Sequence, residues 1–157
     1  MLTSTAREQK KSCPEKEAIG RSRGGPSTKI NATVDALGNP TSFSLTPGQA
    51  HDLEGAGQLL PNVEADIVIA DKAYDAKERV IEPLEQAGKS VVIPSKNNAK
   101  EPRVFDDQEK DLYGARHLIE NFFARLKQYR AIATRYDKRA VHFLGAVYLA
   151  AIVVWLN

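Results

Sequence analysis

Residues 112–129, LYGARHLIENFFARLKQY, constrain the fold most because their pattern predicts an amphipathic helix. At roughly 100° per residue, the apolar side chains between Ala115 and Leu126 fall on one stripe, which must pack on a core. A neighbouring polar stripe spans about 60° and holds Tyr113, Arg116, Glu120 and Lys127. The ordinary role of such a polar face is a solvated, ion-paired surface. The rest of the chain must show whether Glu120 does more.

The composition is that of one globular domain or part of one. The 157 residues are 42% hydrophobic and 27% charged, which is enough to build a core. The lone Cys13 excludes an internal disulfide, and its surroundings exclude a zinc motif. We find no signal peptide in the polar first residues. Residues 141–156 are apolar but shorter than the roughly 20 residues of a spanning helix, so we expect a buried terminal helix and no membrane partner.

The net charge of +2 conceals an uneven distribution. Residues 1–29 hold seven Lys/Arg and three Glu (+4), and residues 113–139 hold seven Lys/Arg and two acids (+5). Residues 30–112 between them hold eight Lys/Arg and fifteen acids (−7). Basic segments around an acidic middle suit a polyanion held beside metal-binding carboxylates, and they equally suit a solvated surface.

The N-terminal third predicts an arm followed by a hairpin. Residues 1–26 are poor in apolar side chains and read as a flexible basic arm, whose Arg21 and Arg23 lie among glycines where they could meet phosphates. A bare linker fits the same composition. Residues 27–36 and 41–45 read as strands joined by the turn 37–40, and so as an antiparallel hairpin.

The remainder predicts strands alternating with helices. Helix 50–60 starts near Asp52, a predicted cap, and His51, a capping or surface residue. Strand 65–70 ends on Asp71, Pro83 kinks helix 76–87 or shifts its start, and an apolar helix closes the chain. The other elements are a strand at 90–93 and a loop at 96–108. Together they predict an α/β fold with a mixed sheet flanked by helices.

Asp71 and Glu120 are the two acids whose positions suit metal-dependent chemistry. Asp71 follows a buried strand, where ligand sites of open α/β sheets lie, although it could simply cap the next turn. Carboxylates converging from a strand and a helix hold a hard cation through oxygen. With a third acid, two cations can activate a nucleophile and stabilise the leaving oxygen of a phosphodiester. Arg116 and Lys127 could then hold flanking phosphates, with Tyr113 as a hydroxyl or a stacking edge.

The spacing of Tyr113, Arg116, Glu120 and Lys127 resembles the signature of insertion-sequence DDE transposases. The run YGARHLIENFFARLKQYRAIATRYDK is similar to the insertion-sequence-five family in particular. The segments GRSRGGPSTKI, TPGQAHD and VIADKAYD resemble further motifs of that family, in the expected order. The resemblance extends from about Gly20 to the C-terminus.

The resemblance implies an RNase H-like catalytic domain over residues 27–157 and metal-dependent DNA strand cleavage and transfer at insertion-sequence ends. Asp71 then matches the second catalytic, metal-binding acid and Glu120 the third, with Mg²⁺ or Mn²⁺ as cofactor. DNA contacts are implied for the signature's basic positions Arg116 and Lys127, beside Tyr113, Arg21 and Arg23. The resemblance also implies a homo-oligomer that works in the bacterial cytoplasm in association with the nucleoid.

The sequence departs from the family pattern at the first acid. Thr3 stands where the aspartate of an Asp-Ser-Thr strand is expected, so the first strand reads as missing or degenerate. An exposed edge on strand 27–36, with marginal stability, would follow. The catalytic portion then either pairs with an upstream-frame product that supplies the acid, or is an inactive fragment that binds DNA or intact transposase. A different metal nuclease and a basic interaction module without a site are the remaining hypotheses.

Overall fold

The computed structural model describes residues 17–99 and 102–156, which form five strands and six α-helices. The strands are β1 (Gly20–Ser22), β2 (Gly25–Val34), β3 (Pro40–Pro47), β4 (Ile67–Ile69) and β5 (Ser90–Val92). The helices are α1 (Asp52–Leu59), α2 (Glu82–Gln86), α3 (Asp107–Gly114), α4 (His117–Leu126), α5 (Arg130–Thr134) and α6 (Ala140–Leu156). The α/β class predicted from the sequence is therefore confirmed.

The described strands include both antiparallel and parallel pairs, but they form two sheets that are not joined within this part of the chain. β1, β2 and β3 are antiparallel in that order, whereas β4 and β5 are a parallel pair. β1 pairs with β2 only between Gly25 and Ser27. The edge of residues 28–34 that faces away from β3 therefore has no strand partner among the described residues, as the sequence predicted.

The turn between β2 and β3 is held by one carboxylate. Asp35 accepts hydrogen bonds from the backbone N–H groups of Leu37 and Asn39, both at 2.9 Å, and from the Asn39 amide at 3.0 Å. Gly38 adopts φ +86°, which glycine reaches without strain. Desolvation opposes the effect, but these bonds lower the pKa of Asp35 from its ordinary value. The predicted hairpin thus has a local cause.

Close backbone packing explains the glycines that recur in the motifs. A Cβ on Gly20 would lie 1.5 Å from the Gln49 side chain, and one on Gly48 would lie 1.9 Å from Ser27. These close approaches join the GRSRGGPSTKI and TPGQAHD segments. Residues 20–22 form β1, residues 23–24 form a turn and residues 25–26 begin β2, which corrects the assignment of these residues to a flexible arm. Residues 1–16 of that arm, including Thr3 and Cys13, lie outside the described residues.

The predicted helix at 112–129 is divided between the end of α3 and the whole of α4, and α5 follows directly after it. A capping box between Asp106 and Glu109 starts α3, which ends at Gly114. α4 begins after Arg116 and ends at Leu126, and Tyr129 is extended (ψ 103°) before α5. The helical periodicity runs unbroken through these turns, which is why it could not reveal them.

Pro83 has the predicted effect on the helix before β5. Residues 77–81 form a wider helical turn in which Ile81 N–H donates to Ala76 O at 3.2 Å, five residues back. Pro83 lies in the first turn of the following α2, where its missing N–H is not needed. The helix therefore starts in a wide turn and becomes regular at the proline.

Two hydrophobic clusters support the sheets. One lies between the β2–β3 hairpin and helices α4 and α6, and contains Phe43, Phe122, Leu126, Phe143 and Val147. The other lies between α1, α2 and the β4–β5 pair, and contains Ala56, Val68, Val80, Leu84 and Ile93.

Helix α6 is only half buried, which corrects the prediction of a buried terminal helix. Phe143 and Val147 are enclosed, whereas Val141 and Leu156 on the opposite side are 75% and 76% exposed. No helix among the described residues is long and apolar enough to cross a membrane.

Candidate active site

Asp71 lies two residues beyond β4, past the carboxyl end of the parallel β4–β5 pair. Its Oδ1 accepts the backbone N–H of Lys72 at 2.6 Å and so caps the short helical turn Lys72–Tyr74. The side chain remains 47% exposed. The capping role considered from the sequence is therefore real, and it leaves the second carboxylate oxygen free to face another element.

Arg116 joins the two predicted acids. Its Nη1 lies 3.6 Å from Asp71 Oδ2, and its Nη2 lies 2.8 Å from Glu120 Oε1. Tyr113 lies beside them, with its ring centre 5.8 Å from the guanidinium carbon of Arg116. Two carboxylates, one from a strand end and one from a helix, thus converge on one cationic side chain.

A phenol and a second ion pair extend the site toward α1. Burial of Tyr74, and then the charges of Asp52 and Asp71, raise the pKa of its hydroxyl. Asp52 pairs with Lys29 Nζ at 2.8 Å, which corrects its predicted role as a cap. His51 caps α1 instead, because its Nδ1 accepts Leu53 N–H at 3.3 Å. The sequence pattern did not indicate Tyr74 or Lys29.

The other predicted DNA contacts lie elsewhere. Lys127 is exposed at the C-terminal end of α4, about 16 Å along the helix axis from Arg116. Arg21 and Arg23 are exposed on the β1–β2 hairpin. The structure therefore groups Tyr113 and Arg116 with the acids and separates the remaining three cations from them.

The donor set fits a divalent cation in kind, but it is short in number. Asp71 and Glu120 offer carboxylate oxygens directed at one positive charge, which is the chemistry of Mg²⁺ and Mn²⁺ ligands. Among residues 17–99 and 102–156, no group of three or more His, Cys, Asp or Glu side chains could hold a metal. A two-cation site would need at least one further carboxylate beside these two acids.

Arg135 ties the start of the described chain to the loop before α6. It donates to the carbonyls of Glu17 at 2.6 Å and Ala18 at 3.1 Å, and to the Thr28 hydroxyl. Its guanidinium carbon also lies 4.8 Å from the ring centre of Phe143. More than 100 residues separate Arg135 from Glu17, Ala18 and Thr28 in sequence, so no local pattern could have revealed these hydrogen bonds.

Comparison with known proteins decides the family. A family model described as "Transposase DDE domain" matches residues 4–156. The chain belongs to the transposase DDE domain family. This family membership confirms the resemblance found in the four motifs, while the narrower placement within the insertion-sequence-five family stays a prediction.

A curated relative extends this transposase match over most of the chain. It is a Brucella ovis protein named "Putative transposase for insertion sequence element IS6501". It is 37% identical over 134 residues, which cover 83% of this chain and 98% of the relative. No solved structure matches the chain significantly.

Proposed function

We propose that this DDE-domain protein takes part in DNA transposition, by metal-dependent strand cleavage and transfer at insertion-sequence ends. The observation that carries the proposal is the convergence of Asp71 and Glu120 on the guanidinium of Arg116. A bound Mg²⁺ or Mn²⁺ would activate the attacking hydroxyl and stabilise the leaving oxygen. Asp71 and Glu120 would hold the cation.

The remaining side chains would position DNA around these acids. Displacing Arg116 from both carboxylates frees a planar, five-donor cation that suits a phosphate. Tyr113 stays beside it, where its ring can support a sugar or base. Lys127, farther along α4, would hold a more distant phosphate, and so would Arg21 and Arg23 on the hairpin.

The finer fold is part of the proposal. A further strand placed between the β2 and β4 edges that lack a partner among the described residues would join β2–β3 and β4–β5 into one five-stranded RNase H-like sheet, with the short β1 outside it, in a catalytic domain spanning residues 27–157. That strand would carry the third carboxylate, which residues 17–99 and 102–156 do not supply beside Asp71 and Glu120. Its source would be an upstream-frame product or a further part of the protein, acting in the bacterial cytoplasm near the nucleoid.

The alternative function is an inactive fragment that binds DNA or intact transposase. The observation in its favour is that the described residues supply two acids rather than three. The two functions share DNA binding and differ in metal-dependent cutting, so one pair of assays separates them.

The decisive experiment measures Mn²⁺ binding by calorimetry and nicking of a supercoiled plasmid that carries element ends. Asp71→Asn and Glu120→Gln should each abolish Mn²⁺ binding, whereas the exposed controls Asp66→Asn and Glu54→Gln should leave it unchanged. Nicking that requires Mg²⁺ and both acids supports the enzyme. Metal and DNA binding without nicking supports the inactive-fragment alternative. Metal binding that is unchanged in both Asp71→Asn and Glu120→Gln refutes the proposed metal site.

We further propose that a second copy of the chain packs on the exposed face of α6. Residues 140–157 contain no Asp, Glu, Lys or Arg, so two such faces meet without charge repulsion. Six large apolar side chains fall within about 120° of the helix, namely Val141, Tyr148, Leu149, Ile152, Trp155 and Leu156. They expose on the order of 700 Å², close to the roughly 800 Å² that each partner buries in a standard interface.

Sedimentation tests this homo-oligomer. The wild-type chain should sediment as a dimer or larger, and Leu149→Lys with Leu156→Lys should sediment as a monomer. The matched control is Leu37→Lys, which changes an equally exposed leucine (81%) away from α6. A wild-type monomer at micromolar concentration would refute the interface.

A further inference from the structure

The contacts of Arg135 bring together two basic segments that lie far apart in the sequence. Besides the carbonyls of Glu17 and Ala18, Arg135 donates to the carbonyls of Asp137 at 3.1 Å and Lys138 at 3.2 Å. A second link supports it, because Ala140 N–H donates to a carboxylate oxygen of Glu17 at 2.7 Å. The α5–α6 loop, residues 135–139, is therefore fixed against the chain that leads into β1.

A groove of about 220 Å³ lies between the two segments. Pro26, Ser27 and Thr28 of β2 line one side, and Tyr136 and Lys138 of the loop line the other. Pro26 is the register partner of Arg21, so the arginine-bearing hairpin adjoins this groove. Tyr136 is 62% exposed, an unusual degree for an aromatic side chain. We call this region the clasp surface and define it as Arg21, Arg23, Tyr136, Lys138 and Arg139.

The clasp surface is a concentration of positive charge available to a ligand. Its four cations are exposed, and none forms an ion pair with a residue at positions 17–99 or 102–156. The nearby acids are Glu17 and Asp137, whose charges act on Arg135. With Arg135 included, five cations face two acids. A net charge of +3 around a groove with an exposed aromatic ring complements a phosphate backbone.

We propose that the clasp surface binds the phosphate backbone of duplex DNA, with Lys138 and Arg139 as phosphate contacts and Tyr136 packed against the sugar edge. Tyr136 and Lys138 lie at the end of the motif run 113–138, but neither the four signature positions nor the acid pair assigns a role to these three residues. The proposal rests on the proposed function, since the same charge would attract other polyanions. It adds a second anchor for the DNA, built on the hairpin and the α5–α6 loop rather than on α4.

The test is the salt dependence of duplex binding by the full chain, measured by fluorescence anisotropy across a KCl series. Each phosphate contact contributes about 0.9 to the slope of log K against log salt concentration. Lys138→Gln with Arg139→Gln should therefore make the slope shallower by about 1.8 and weaken binding roughly tenfold at low salt. Arg21→Gln with Arg23→Gln should act similarly.

The matched control removes two positive charges elsewhere. Lys77 and Arg79 are exposed on the wide turn before α2, and Lys77→Gln with Arg79→Gln should leave the slope unchanged. Equal melting temperatures would show that the substitutions do not act through folding. The proposal is overturned if the Lys138/Arg139 variant and the control give the same slope. Wild-type protein that binds no DNA in low salt would overturn both this proposal and the proposed function, whereas intact binding with an unaltered slope overturns only the clasp surface.

Discussion

Removing the Arg135 side chain should destabilise the fold more than removing any exposed arginine. Arg135→Ala deletes the hydrogen bonds to Glu17, Ala18 and Thr28 and the cation–π contact with Phe143. Hydrogen bonds from charged groups are each worth about 1.5–3 kcal/mol, and the contacts of one side chain are not additive. Because the acceptors are only partly buried, we expect a loss of about 3 kcal/mol in the free energy of unfolding.

The backbone provides an internal check on this magnitude. Arg135 adopts φ +46°, a left-handed conformation that costs a non-glycine residue about 1 kcal/mol. Arg135→Gly should therefore be about 1 kcal/mol more stable than Arg135→Ala, although both lose the side chain. Arg135→Lys keeps the charge and loses the planar fork, so it should lie between alanine and wild type.

Urea unfolding followed by circular dichroism measures these differences. Arg130→Ala is the control, because Arg130 is an exposed arginine on α5. The reasoning is refuted if Arg135→Ala unfolds within about 0.5 kcal/mol of wild type, or if the glycine variant is no more stable than the alanine variant.

Four further outcomes are expected. Hydrogen bonds lower the pKa of Asp35 in the folded state. Its contribution to stability is therefore present above the unfolded pKa of about 3.9 and is lost as the pH falls through the folded pKa. Asp35→Asn should accordingly lose less stability than wild type when both are titrated below pH 4. Phe122→Ala, which empties a site that is 2% exposed, should cost about 3–5 kcal/mol by urea unfolding, and an unchanged midpoint would contradict the core described above. Arg116→Gln should tighten Mn²⁺ binding in calorimetry, because it removes the cation that holds both acids, and weaker binding would show that Arg116 does not compete for them. Finally, the edges of β2 and β4 that have no strand partner within the described residues predict a broad thermal transition with aggregation when the chain is made alone, so a sharp cooperative melt of a soluble monomer would count against an unfilled sheet.

Features with local causes could be predicted from the sequence. The β2–β3 hairpin follows from alternation and from a turn in which Asp35 and Gly38 supply the hydrogen bonds and the positive φ. The placement of Asp71 follows from an apolar strand that stops at an acid. In both cases the residues that determine the structure lie within a few positions of it.

Features that depend on distant contacts could not be predicted. The breaks on either side of α4 leave the helical periodicity intact, so a two-faced pattern over residues 112–129 reads as one helix. The exposure of one side of α6 is not visible in a helix that is apolar all round. Arg135 has partners more than 100 residues away, and only the folded chain shows them.

The acid pair shows how core packing brings signature residues from different elements together. The spacing of Arg116 and Glu120 alone would place them one turn apart on any helix, where they would form an ordinary surface ion pair. The buried face of α4 fixes the rotation of the helix about its own axis. Phe122 is 2% exposed, and its ring centre lies 5.7 Å from that of Phe43 on β3. Because residues two apart on a helix point in nearly opposite directions, burying Phe122 turns Glu120 outward. Asp71 then meets the same guanidinium from the end of β4, so the site depends on core packing as much as on the signature residues.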